Sequence, residues 1–150
     1  MIGKVDFEGG REMERQLARL KQGTAKGAMR RALRNSAKPM AELMKGGMRR
    51  DQGDLADSVT ITSKLSPRQA SLRRRMFSDE RSAIELSVGP GPLPQAITEE
   101  FGTVNQAPHA SVRPAWDADH MALLDRLGRE MWTEIEKTIG RAAKRGTLLR

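Results

Sequence analysis

Few side chains in this 150-residue sequence could do covalent or metal chemistry, and their spacing argues against it. His109 and His120 are the two histidines, without cysteine partners or an HxxxH-type interval, so a zinc-like ligand set is not formed. Ser111, His109 and Asp117 could be written as a triad, but no GxSxG-like nucleophile turn accompanies them. The adjacent acids Glu99-Glu100 and Asp79-Glu80 are of the kind found at helix starts and in solvated loops. "VGPGPLP" has the glycines of a phosphate cradle, but its prolines remove the amide donors such a cradle needs. It reads as a rigid bend after a strand. With no cysteine, thiolate chemistry and disulfides are excluded. The sequence therefore predicts no catalytic, cofactor-binding or metal-ligating residues.

What remains is electrostatics. Arg68, Arg73, Arg74 and Arg75 lie within eight residues in "RQASLRRRM", a density that could grip phosphates. Only Phe77 stands close enough to stack on a base. An arm that meets an acidic protein neighbour is the favoured reading. Lys26, Arg30, Arg34 and Lys38 recur every fourth residue along one side of a helix, with Arg31 beside them. Glu42 is the one acid between residues 24 and 48, so these cations face water, an acidic neighbour or DNA. The net charge of +8 points the same way, toward anionic partners.

The elements that position these groups follow from periodicity. Residues 25–48 carry a narrow stripe of small residues and Met: Ala25, Ala28, Met29, Ala32, Leu33, Ser36, Ala37, Met40, Ala41, Met44 and Met48. Pro39 falls inside it and is expected to kink or split the helix. A shorter helix precedes it through Met13, Leu17 and Leu20, with Gly23 as its expected stop. "MIGKVDF" is loosely strand-like. Val59 and Ile61, then Ile84, Leu86 and Val88, alternate as half-buried strands do. Between them, about 66–81 is too long for a tight hairpin and predicts a projecting arm or loop. "QAITEEF" fits a short helix. From Pro114 a long helix carries Trp116, His120, Leu123, Leu124, Leu127, Met131, Ile135, Ile139 and Ala142 on one stripe. About 145–150 is expected to be a flexible tail. The fold class is α+β: one domain over 1–150, a small antiparallel sheet packed on two long helices.

Composition bounds what this domain can do alone. Apolar residues make up 37%, with two Trp, three Phe and no Tyr, while 31% of residues are charged. A thin core of this kind suggests stability gained by assembling with partners. No segment approaches the roughly 20 apolar residues that span a bilayer, and residues 1–20 lack the apolar core of a signal peptide, so a soluble protein is expected.

The order of features resembles the head–tail joining family of long-tailed bacteriophages, whose members are also called neck, tail-completion or minor tail proteins. "VDFEGGREMERQLARL" is similar to the family's strand and first helix, and "AMRRALRNSAKPMAELMK" to its long basic helix. "DQGDLADSVTI" and "ELSVGPG" resemble its two strands with their leading turn. "EEFGT" followed by "SVRPAWD" resembles its Glu-Phe-Gly-Thr and Arg-Pro-Ala signature. The resemblance implies a structural ring subunit, sixfold, between the head connector and the tail. Its partners would be further copies of itself, the connector or stopper and the tail terminator or tube, with transient contact to genomic DNA. It implies no cofactor and no catalysis, and a place in the virion after assembly in the host cytoplasm. A small basic nucleic-acid-binding protein is the alternative. In the favoured reading Phe101, Gly102, Thr103, Arg113, Pro114 and Trp116 form a loop clamp. Phe101 would anchor the loop in the core and Trp116 would bury the first turn of the last helix, each contributing about 2–3 kcal/mol.

Overall fold

The computed structural model describes residues 9–50, 54–76 and 84–148. Along the chain come α1 (Gly10–Ala18), α2 (Gln22–Gly47), α3 (Asp54–Asp57), β1 (Thr60–Thr62), α4 (Pro67–Met76), β2 (Ser87–Gly89), α5 (Pro94–Phe101) and α6 (Val112–Lys144). The strand expected at the N-terminus lies outside the described residues, as do Phe77, Asp79 and Glu80.

The frame is the pair α2 and α6. Arg31 meets Glu134, Asn35 meets Glu130 and Gly47 lies against Ser111, so the two helices run antiparallel. Of the stripe predicted on α2, Ala28, Ala32, Ser36, Met40, Ala41 and Met44 are buried, while Ala25, Met29, Leu33 and Ala37 along its edge are half-buried. Small side chains let the helix axes approach closely, and Met fills the irregular gaps left between them. At the far end of α2, Met40, Ala41, Met44 and Met48 join Ala56, Val59 and Ala115 in one apolar cluster, with Leu55, Ile61, Val88, Val112 and Leu123 packed around it. The sheet contributes Ile61 and Val88 to this cluster, and Val59 joins it from just before β1. β1 and β2 pair antiparallel, with Ile61 opposite Val88. The result is the expected α+β class, mostly helical with a two-stranded sheet.

Several expectations change. Gly23 does not end the first helix. Leu17 and Gln16 accept bonds from residues three further on, tightening the last turn of α1, and buried Leu20 pulls the chain inward. Gly23 then falls in the first turn of α2. Pro39 neither splits α2 nor stops it. Proline removes one intrahelical bond, but packing holds the turns on both sides, and the Arg126 guanidinium of α6 donates to the Ser36 carbonyl at 3.1 Å.

The buried line on α6 keeps Ile135 and Ala142 of the predicted stripe but departs from it in the first half of the helix. Ala115, Asp119, Ile135, Thr138 and Ala142 face α2, while Trp116 and Leu124 are exposed. Polar residues carry part of this interface. Arg31 Nε donates to Glu134 Oε2 at 2.6 Å and its Nη2 to Thr138 Oγ1 at 3.1 Å. Asp119 is paired in bidentate fashion with Arg126. Apolar periodicity cannot reveal an interface that is partly ionic.

The segment between the strands is not an extended loop over its described part. Residues 67–76 form α4, closed by a capping box: Ser66 Oγ accepts from the Gln69 amide at 3.3 Å, and Gln69 Oε1 accepts from the Ser66 amide at 3.0 Å. Pro67 occupies the first helical position, where its missing N–H costs nothing. At the other end of the chain, Gly146 takes a φ of +64° and closes α6. Thr147 N–H reaches Ala142 O and Gly146 N–H reaches Ala143 O, the two bonds of a Schellman motif. The first residues of the expected tail are therefore an ordered helix end.

Candidate assembly surface

The corner between α5 and α6 is built around one carboxylate. Glu100, in the last turn of α5, is only 7% exposed. Its Oε2 accepts the Ser111 and Val112 amides, each at 2.9 Å, and its Oε1 accepts the Arg113 amide at 3.0 Å. Arg113 Nε adds a charge-assisted bond to Oε1 at 3.3 Å. The Ser111 side chain makes no cap of its own. A side chain from the preceding helix thus satisfies the orphan amides of α6 and places negative charge at its positive end. Burial pushes the Glu100 carboxyl upward, but the amides of Val112, Ser111 and Arg113 with the Arg113 side chain outweigh it, and its pKa falls below the ordinary glutamate value.

Neighbouring groups hold the loop that joins the two helices. Gly102 has a φ of +75°, and a Cβ there would lie 2.8 Å from Gln106 O and from Pro108 N. Only glycine fits this turn. Thr103 and Gln106 exchange backbone bonds, and Thr103 Oγ1 accepts from the Asn105 amide, as expected of a backbone-bonding threonine. Glu99 accepts the Gln106 side chain, and its carbonyl accepts the His109 amide. Its other carboxylate oxygen faces Arg49 at 3.7 Å. His109 Nε2 lies 3.0 Å from the Gly47 carbonyl, tying the loop to the end of α2. The pair Glu99-Glu100 is therefore the fastening of the corner, not a solvated doublet. Sequence reasoning passed over it because nothing in the spacing of two adjacent acids shows which amides they will meet.

The aromatics of the corner point outward. Phe101 is 65% exposed and Trp116 52% exposed. Neither fills the core, which corrects the expected burial of both. Glu100 and Gly102 do the anchoring, so the ring next to them is free to face solvent. The Arg113 guanidinium lies over the Phe101 ring at 5.2 Å. One turn along α6, Trp116 stacks on His120 with ring centroids 5.8 Å apart, and His120 Nδ1 is 3.0 Å from the Trp116 carbonyl. Pro114 lies exposed in the first turn between them. Ile97, Val104 and Met121 are further exposed apolar residues of α5, the loop and α6. The corner is rigid below and apolar above.

The basic residues divide into two sets elsewhere. Arg30, Arg34 and Lys38 are exposed along α2 and Lys26 is half-buried; among the described residues none of the four is paired with a carboxylate. Arg34 and Lys38, with Lys45 and Glu42, flank a shallow groove of about 340 Å³ along Val59–Ile61 of β1. Arg31, one residue off the stripe, points into the α2–α6 interface instead. On α4, Arg68, Arg74 and Arg75 are exposed, whereas Arg73 is bound to Glu85 at 2.5 Å. The structure thus does not bring the two basic sets and the aromatic corner into one site.

Among the described residues no helix is long and apolar enough to cross a membrane. Compared with known proteins, residues 11–91 match a family model, HK97-gp10-like, described as "Bacteriophage HK97-gp10, putative tail-component". The match covers just over half of the chain, from α1 through β2. The α5–α6 corner lies beyond the matched segment. No curated protein and no solved structure gives a significant match.

Proposed function

The chain belongs to the HK97-gp10-like family of bacteriophage tail components, and on that premise we propose that it is a ring subunit at the neck or tail-completion end of the virion, joining the head connector to the tail. The observation that carries this reading is the exposure of Phe101, Arg113 and Trp116, the last stacked on half-buried His120, on a corner fixed from beneath by Glu100. A chain with five aromatic residues has left two of them exposed side by side with an arginine. Trp, Arg and aromatic residues dominate the energetic centres of protein interfaces, above all when their backbone is held rigid before binding. A second copy of the chain is the partner this surface serves. Sixfold closure follows the resemblance of the Glu-Phe-Gly-Thr and Arg-Pro-Ala signature to the head–tail joining proteins. A closed ring uses a heterologous contact, so the corner meets a different patch on the next subunit. The function so read is structural.

Trp116→Ala tests it. The exposed half of the ring stabilises the monomer little, so unfolding free energy falls by about 1 kcal/mol. Subunit association, followed by sedimentation velocity and by ring counting in electron micrographs, weakens roughly 30-fold, the loss expected of an interface centre worth about 2 kcal/mol. A variant that melts far below the parent, or one that assembles as well as the parent, overturns the reading.

A further inference from the structure

Apart from the corner and the basic stripe, one hollow in the molecule has the chemistry of a binding site. It lies where the start of α2 meets the end of α6, with a volume of about 310 Å³. Three guanidinium groups line it, those of Arg31, Arg141 and Arg145. Arg31 is fixed in place: Glu134 holds its Nε, Thr138 holds its Nη2, and its Nη1 leans over Gly27, where an added Cβ would sit 3.5 Å away. Glu134 thus answers the charge of Arg31. Arg141 and Arg145 make no salt bridge among the described residues, and although the Glu134 carboxylate also feels the charge of Arg141, three arginines against one carboxylate leave the hollow positive.

Hydroxyl groups complete the lining. Thr138 Oγ1 accepts from Arg31 and keeps its own proton to donate. Thr24 Oγ1 has no partner among the described residues. At the end of α6 the carbonyls of Ala142 and Ala143 turn to the helix-closing bonds from Thr147 and Gly146. Gly23 has open space beside it, so the floor is not filled from the α2 side.

We infer that this hollow binds a single phosphate group. Guanidinium groups present planar pairs of donors suited to oxyanions, and donors arriving from two helices suit a tetrahedral group better than a planar carboxylate. The phosphate group can come from free inorganic phosphate or from a nucleic-acid backbone.

The experiment is an amide-resolved NMR titration of the intact chain with inorganic phosphate, ionic strength being matched with chloride. Saturable shifts at Gly23, Thr24, Gly27 and Thr147 are expected, absent with chloride alone. In the double variant Arg141→Gln, Arg145→Gln the apparent Kd rises at least tenfold. Both side chains belong to exposed residues, and a thermal melt checks that the fold is kept. Equal shifts with chloride, or an unchanged Kd in the variant, overturn the proposal; the first comparison needs the parent chain alone. A short DNA duplex forms the second arm. If it moves the same amides and phosphate displaces it, the group is supplied by the nucleic-acid backbone. If phosphate binds and the duplex leaves these amides unmoved, the ligand is the free ion.

Discussion

Glu100 shows how one side chain can fix a corner of the molecule. It replaces water at the three first amides of α6, and its own charge is answered by Arg113. Its pKa is lower in the folded chain than in the unfolded one. The stability it contributes is therefore complete above the ordinary glutamate range and is lost as pH falls through the lowered folded value. Glu100→Gln keeps one acceptor oxygen and the shape but removes the charge. A loss of about 1–2 kcal/mol at neutral pH is expected, the range of a helix cap with charge-assisted bonds. The gap between the two proteins should close as pH is lowered below the glutamate range. Urea unfolding across a pH series measures this, and a gap independent of pH would show that the carboxylate's charge plays no part.

Elements here hold together through unequal means. The α2–α6 pair combines an alanine and methionine seam with Arg31–Glu134, Asn35–Glu130 and the bond from Arg126, itself held by Asp119 on α6, to the Ser36 carbonyl. A buried contact of this kind adds little net stability but penalises other registers, because sliding α6 by one turn would part Glu134 from Arg31 and leave its carboxylate buried. In contrast, α4 depends on local signals, its capping box and the Arg73–Glu85 pair, and sits between two strands that pair without it. We propose that segment 66–81, α4 included, projects as an assembly arm. Deleting residues 68–79 and joining the ends with a short turn should leave a cooperative thermal transition and the near-native helical circular dichroism of α2 and α6. Assembly onto tails should fall. A deletion that abolishes cooperative unfolding would show that the segment is part of the core.

At the scale of the whole molecule, the excess of positive charge has to be accommodated by partners. Lys26, Arg30, Arg34 and Lys38 extend along α2 with no acid to neutralise them among the described residues. A ring that carried such a belt against DNA would resist the sliding of each phosphate. We propose that the stripe meets an acidic face of an adjacent subunit. Replacing Arg30 and Arg34 with Gln removes two exposed charges, so the monomer's melting temperature should shift by no more than a degree or two. Association should weaken by up to roughly 30-fold, since two exposed pairs are lost and each is worth at most about 1 kcal/mol. Fluorescence anisotropy with duplex DNA at physiological salt should change little. Normal assembly with lost DNA affinity, and a steep salt dependence in the parent, would favour the small nucleic-acid-binding protein instead.

The amino-acid order by itself determined the long helices, the two short strands and the seam of α2, because those follow from the period at which apolar side chains recur. It also carried the capping box of α4 in Ser66, Pro67 and Gln69, a local signal masked by the surrounding arginines. It marked Phe101, Gly102, Arg113 and Trp116 as a set. Tertiary structure decided what the set does. Whether an aromatic ring is core or surface depends on which face of its helix the rest of the chain covers. That face is set here by Glu100 reaching the amides of α6 and by Arg126 and Glu134 drawing α6 onto Ser36 and Arg31 of α2. These are directional polar contacts between residues far apart in the chain, and hydrophobic periodicity carries no record of them. They rotate α6 so that Ala115 faces inward and Trp116 faces out.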